Sequence, residues 1–176
     1  TQWLNVLGMP GMTGYFGLME VGQPRAGETV VVSGAAGAVG QTVGQLAKIK
    51  GCRAVGIAGG PEKCRWVTEE LGFDACLDYR SPDFRAAFKA AVPGGVDVLF
   101  ENVGGAVLDA VLARMNAFGR VALCGLIAGY GGEDIAIRNV RPLLTSRLLV
   151  QGFIVSDFFG RRDEALAELA AWRNQL

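Results

Sequence analysis

Four β-branched residues in succession, Thr29 to Val32, lie between Gly27 and Gly34, and from Ala38 onward the apolar period becomes helical. A run that is apolar on both faces must be covered on both faces, so Glu28–Ala35 reads as a central strand with helices above and below it. Val39, Val43, Leu46, Ala47 and the Lys50 stem then form one helical stripe, ended by Gly51. The alternation continues along the chain. Arg53–Ala58 is the second strand, and Gly60-Pro61-Glu62 opens a helix that runs to Leu71 and stops at Gly72. A short third strand, Ala75–Asp78, precedes a helix that starts at Ser81-Pro82-Asp83 and runs to about Ala91. Val96–Glu101 is the fourth strand, followed by a helix through Val107, Leu108, Val111, Leu112 and Met115. Arg120–Cys124 and Leu148–Val155 are the fifth and sixth strands, Asp163–Arg173 is a closing helix, and Met12–Val21 a lead-in helix.

Parallel neighbours need crossover connections, and right-handed crossovers wind a sheet from both sides. The expected fold class is therefore α/β: a doubly wound, mainly parallel six-stranded sheet in a three-layer αβα sandwich. Residues 1–27 are read as a lead-in helix segment and 28–176 as the ligand-binding domain. Ligands of such sheets bind beyond the carboxyl ends of the strands. The loops that matter follow Ser33, Ala58, Leu77, Glu101, Cys124 and Val155.

Composition removes several function classes. Lys+Arg and Asp+Glu are both 17 in 176 residues, so no general electrostatic pull toward nucleic acid or an anionic membrane is expected. Four cysteines without a C-x-x-C pair, in a chain without histidine, support neither a metal site nor a disulfide framework. Acid–base chemistry must then use Tyr, Lys, a carboxylate, a ligand hydroxyl or groups outside the chain. The uncharged stretches Thr1–Met19 and Thr29–Ala47 are broken by glycines and do not read as spanning helices. A cytoplasmic chain, cut from something longer since it starts at Thr1, is the expectation.

The turn after the first strand reads Gly34-Ala35-Ala36-Gly37-Ala38-Val39-Gly40. Against the dinucleotide pattern G-x-G-x-x-G, Gly37 and Gly40 take the second and third places and Ala35 replaces the first. A pyrophosphate is expected on Gly37, Ala38, Val39 and Gly40 at the helix N-terminus; no G-K-[ST] follows. The second strand ends in Ile57-Ala58-Gly59-Gly60 without the carboxylate that binds a ribose 2′-hydroxyl in NAD sites. Lys63 and Arg65 instead lie at the start of the next helix, where cations oppose the helix dipole unless a phosphate faces them. NADP(H) is favoured over NAD(H).

Four motifs occur in order: Gly8-Met9-Pro10-Gly11-Met12-Thr13-Gly14-Tyr15-Phe16-Gly17-Leu18; the Ala35–Gly40 turn; Asn102-Val103-Gly104-Gly105; and Phe118-Gly119-Arg120-Val121-Ala122-Leu123-Cys124-Gly125. Together they resemble the zinc-independent branch of the medium-chain dehydrogenase/reductases, and within it the group of prostaglandin reductases, leukotriene hydroxydehydrogenases, curcumin reductases and alkenal double-bond reductases. The resemblance implies a Rossmann fold and NADP(H). It also implies a GroES-like domain, absent from this chain, that forms much of the substrate cleft. Lys63 and Tyr79 match positions contacting the 2′-phosphate, and Asn102 a cofactor contact. Cys124, Gly125, Leu126 and Ile127 would border the nicotinamide, with Phe153, Ile154 and Val155 nearby. Tyr130 matches a tyrosine that hydrogen-bonds the substrate carbonyl, although Gly131-Gly132 follows it where the family usually has an Asn-like residue.

The reaction so implied is NADPH-dependent reduction of a C=C bond conjugated to a carbonyl in an enal or enone. Quinone reduction on the same scaffold and a non-catalytic NADP-binding module are the alternatives. No Y-x-x-x-K exists, which excludes the short-chain dehydrogenases. The apolar sixth strand, at a sheet edge, is expected to pair in a homodimer.

Overall fold

The computed structural model describes residues 6–172, so the part of the closing helix assigned to Arg173 and the first residues of the lead-in segment lie outside the described residues. Among the described residues the strands are β1 (Thr29–Ser33), β2 (Arg53–Ala58), β3 (Ala75–Asp78), β4 (Val96–Glu101), β5 (Met115–Leu123) and β6 (Leu149–Gly152). They form one six-stranded sheet in the order β3-β2-β1-β4-β5-β6, with every neighbouring pair parallel. The expected doubly wound Rossmann sheet is the one observed. The winding direction reverses between β1 and β4, which opens a crevice at their carboxyl ends.

Two cores lie on the two faces. One packs Val30, Val32, Val98 and Phe100 against α1 (Met9–Phe16), α2 (Ala38–Ile49) and α7 (Arg162–Trp172). The other packs Val31, Val55, Leu99 and Val121 against α4 (Phe84–Ala91) and α5 (Gly105–Leu112). The alternation along β1, with Val30 and Val32 on one side and Val31 on the other, is why this strand needed four β-branched residues. Helix α3 (Pro61–Glu69) follows β2, and a short α6 (Arg141–Thr145), unforeseen from the sequence, precedes β6.

Strand β1 is shorter than expected at both ends and α3 stops two residues early, and larger differences occur at the lead-in helix, β5 and β6. The lead-in helix starts earlier, at Met9 with Pro10 in its first turn, and widens into a π-helical segment, Gly17–Gly22. A Cβ on Gly17 would stand 2.2 Å from Cζ of Phe153 and 2.7 Å from Cε2 of Phe100, so the missing side chain admits an aromatic wedge there. Met115 belongs to β5 rather than to a helix, because α5 ends at Leu112 and the β4–β5 register shifts between Val96 and Val98, lengthening the strand. The sixth strand stops at Gly152: once the Phe153 ring turns into the core, the chain leaves the sheet and coils as a 3₁₀ turn over Val155–Arg161.

Candidate functional site

The β1–β4 ladder ends at Val32 and Phe100, and side chains continue it into the crevice. Ser33 Oγ donates to Oε1 of Glu101 at 2.8 Å and accepts the Asn102 amide at 2.8 Å, while Asn102 Nδ2 donates to the Ser33 carbonyl at 2.7 Å. The amides of Val103 and Gly104 also donate to Glu101 Oε1, at 2.6 and 2.7 Å. Burial pushes the Glu101 carboxyl above its ordinary value, and these donors pull against that shift. Asn102 is thus buried at the switch point, with its side-chain nitrogen turned back onto β1, and it lines neither of the clefts on either side.

The glycine turn differs in detail from its sequence reading. Gly34, with φ of +64°, makes the tight turn, so the role of the pattern's first glycine lies one residue before Ala35. Ala35 is fully buried and its amide donates to Ile57 of β2 at 3.0 Å. A Cβ on Gly40 would stand 2.4 Å from the Gly34 oxygen and 2.9 Å from the Ala35 Cα, so only glycine lets α2 start this close to the turn. The Gly37 amide is already used, donating to Gly34 O at 2.9 Å. A phosphate cradle at this helix end therefore falls to the first-turn amides of Ala38, Val39 and Gly40.

Beside the turn, a cleft of about 290 Å³ is lined by Gly34, Gly37, Ala58, Lys63, Tyr79 and Arg80, with Val103 and Ile127 opposite. Asp78, at the end of β3, accepts the amides of Gly60 at 2.8 Å and Arg80 at 3.0 Å; these bonds hold its carboxyl below the usual range. The Arg80 guanidinium lies over Gly59, where a Cβ would be 3.2 Å from Nε, and 5.7 Å from the centre of the Tyr79 ring. Arg80 was missed from the sequence, and Arg65, singled out there, lines no part of this cleft. The signal was available: a cation directly after a strand-end tyrosine, on the next strand tip along the edge.

A second cleft, of about 600 Å³, lies past β5 and β6 and is lined by Cys124, Gly125, Leu126, Tyr130, Phe153, Ile154 and Asp157. A Cβ on Gly125 would stand 3.4 Å from the Tyr130 hydroxyl, so that hydroxyl lies across the glycine. Burial lifts the Cys124 thiol to about 11. Two residues grouped here from the sequence go elsewhere. Ile127 lines the first cleft, on the far side of the Asn102–Val103 loop from Cys124, because its amide donates to the Asn102 carbonyl at 3.0 Å. Val155 lines neither cleft, for it opens the 3₁₀ turn and packs against the core under α1. The Phe153 ring likewise points to Phe100, 6.0 Å away.

A family model described as zinc-binding dehydrogenase matches residues 38–172. The chain belongs to the zinc-binding dehydrogenase family. This is the cofactor-domain half of the medium-chain dehydrogenase/reductases that the ordered motifs resemble. The NADPH-dependent curcumin reductase of Escherichia coli (strain K12) is 48% identical over 176 residues, covering 96% of this chain and 51% of that enzyme. The 2-alkenal reductase (NADP(+)-dependent) of Nicotiana tabacum is 48% identical over 161 residues, covering 90% and 47%. The crystal structure of CurA in complex with NADPH from Vibrio vulnificus matches with a TM-score of 0.92 at 45% identity, covering 99% of this chain and 54% of that one. The chain spans about half the length of the curated relatives it matches.

Within the zinc-binding dehydrogenase family the chain carries the nucleotide half of the machinery. Among the described residues no group of three or more His, Cys, Asp or Glu could hold a metal ion. No helix among them is long and apolar enough to cross a membrane.

Proposed function

We propose that this chain is the NADPH-binding half of a reductase that saturates the C=C bond of α,β-unsaturated aldehydes and ketones. The observation that carries the cofactor choice is the first cleft, where Lys63, Tyr79 and Arg80 converge beside a β2 tip that bears no carboxylate. The close approach of α2 to the turn at Gly40 and the open amides of Ala38, Val39 and Gly40 suit a pyrophosphate. The named activities of the curcumin and alkenal reductases, both NADP-dependent, support the substrate class.

In this reading Lys63 and Arg80 hold the 2′-phosphate, Tyr79 lies against it, and Asn102 borders the sugar beyond the switch point. Val103 and Ile127 flank the adenine end, and Cys124, Gly125, Leu126, Phe153 and Ile154 wall the nicotinamide end. The bound cofactor supplies a hydride to the β-carbon of the substrate. The Tyr130 hydroxyl donates to the substrate carbonyl oxygen as negative charge develops there, and solvent protonates the α-carbon. We retain residues 1–27 as the lead-in segment and 28–176 as the NADP-binding domain of this enzyme. The exposed edge strand β6, Leu149–Gly152, suits a homodimer, and the four free thiols suit the cytoplasm.

Calorimetric titration of the chain with NADPH and NADH tests the cofactor. Preference for NADPH is expected, and equal affinity would remove the assignment. Product analysis on the full-length protein with an enal, an enone and a quinone tests the reaction; quinol as the sole product would move it to the quinone reductases.

A further inference from the structure

Helices α2 and α5 both begin at the carboxyl edge, on either side of the β1–β4 switch point. The first turn of each is open, with Gly37 and Ala38 exposed at α2 and Ala106 at α5. Between the two, Glu101 Oε1 accepts the Val103 and Gly104 amides, so a carboxyl of this chain holds the loop that leads from β4 into α5. The same oxygen takes the Ser33 hydroxyl, which ties the end of β1 to the loop after β4. Glu101 has no solvent exposure, and its other oxygen, Oε2, has no hydrogen-bond partner among the described residues. A buried carboxyl with an orphaned oxygen is costly, and an apolar residue of similar volume would serve packing alone better. The costly group sits where the β1–β4 ladder stops and the two ligand-bearing loops diverge.

We propose that Glu101 is a positioning residue for the dinucleotide: it holds Ser33 and the Asn102–Gly104 loop as one unit, fixing the walls of the crevice beside the pyrophosphate cradle at α2. The inference rests on the cofactor reading above. It differs from the role of Lys63 and Arg80, because Glu101 acts on the part of the cofactor that NADPH and NADH share.

The test compares Glu101→Gln and Ser33→Ala with the parent chain. NADPH and NADH affinities are measured by calorimetry at a temperature where circular dichroism shows each variant folded, with amide exchange at Val103 and Gly104 alongside. Both variants should lose about tenfold in affinity for each dinucleotide, with the NADPH:NADH ratio unchanged and faster exchange at the two amides. A merely structural role lowers the melting temperature and leaves the affinity of the folded protein alone. Folded variants that bind within about twofold of the parent overturn the proposal. If Glu101→Gln does not fold, Ser33→Ala decides it by the same readout. A parent chain that binds neither dinucleotide sinks the cofactor reading instead. The clamp is then judged on exchange alone: unchanged protection of Val103 and Gly104 in Ser33→Ala overturns it, and faster exchange supports it.

Discussion

The two clefts at the carboxyl edge are built differently. The smaller is walled by the ends of four adjacent strands and is cross-braced: Asp78 ties the Gly60 and Arg80 amides, and Ser33, Glu101 and Asn102 lock β1 to β4. The larger is walled by segments leaving β5 and β6, and Tyr130, which with Asp157 supplies its polar side chains, is 74% exposed on a loop that continues through Gly131 and Gly132. Strand ends impose backbone geometry, and geometry is what a dinucleotide's phosphates read. A loop imposes little, and it is free to vary with the substrate. One end of this site is thus set by the sheet and the other by side chains on a mobile kind of element.

If that contrast is right, the largest losses follow from disturbing the strand-end cleft. Gly40→Val places carbon where the Gly34 carbonyl already is, so α2 must move off the turn. NADPH affinity should fall by about 100-fold or more, with a lower melting temperature. Near-parental affinity would mean that the phosphates rest elsewhere. Next come Lys63→Ala and Arg80→Ala. Each should weaken NADPH about tenfold while leaving NADH nearly unchanged, since a charge-assisted contact to the 2′-phosphate is lost. The double variant should fall short of the product of the two, because neighbouring cations share one partner.

What the sequence made legible divides along the same line. Strand periods and the Gly-Pro and Gly-Gly breaks placed β2, β3 and β4 to the residue. The glycine turn was found, although Gly34 rather than Ala35 carries the first role: spacing identifies a motif, and φ identifies which glycine does which job. Arg80 and Glu101 were missed for different reasons. Arg80 enters the cleft by lying over Gly59 of the adjacent strand tip, a contact that the Tyr79-Arg80 pair after β3 could have suggested once the sheet order was known. Glu101 looked like an ordinary strand end, because nothing in VDVLFE says that the last carboxyl is fully buried. Val155 was misplaced because β6 ends where Phe153 meets Gly17, a contact between residues far apart in the chain.

At the open cleft the expected effect is smaller and of another kind. Tyr130→Phe in the full-length protein should lower kcat for an enone by about tenfold, the loss of one hydrogen bond to the developing oxyanion. NADPH affinity should not change. A fall in affinity instead would join the two clefts and break the comparison.

The smallest effect is expected at the opposite edge of the sheet, which neither cleft reaches. There Arg120 donates to Glu28 Oε1 at 3.0 Å and Oε2 at 2.6 Å, and to the carbonyls of Gly22 and Gln23, tying β5 to the π-helical segment. Burial alone would raise the Glu28 carboxyl, but the Arg120 guanidinium and the Arg25 amide outweigh it and hold it below its ordinary value. A carboxyl depressed in the folded state stabilises above its unfolded pKa of about 4.3, and that stabilisation is lost as pH falls through the folded value. Glu28→Gln should therefore cost about 1 kcal/mol near pH 7, a figure kept low because the pair is only partly buried. The deficit should shrink in acid, as the parent carboxyl becomes neutral too. Asp74 and Asp78 are also held low, but they are common to both proteins and cancel in the difference. Urea unfolding at a series of pH values measures this directly. Calorimetry with NADPH on the same variant should return the parental affinity, because stability lost at the amino-terminal edge leaves the strand tips that line the first cleft in register.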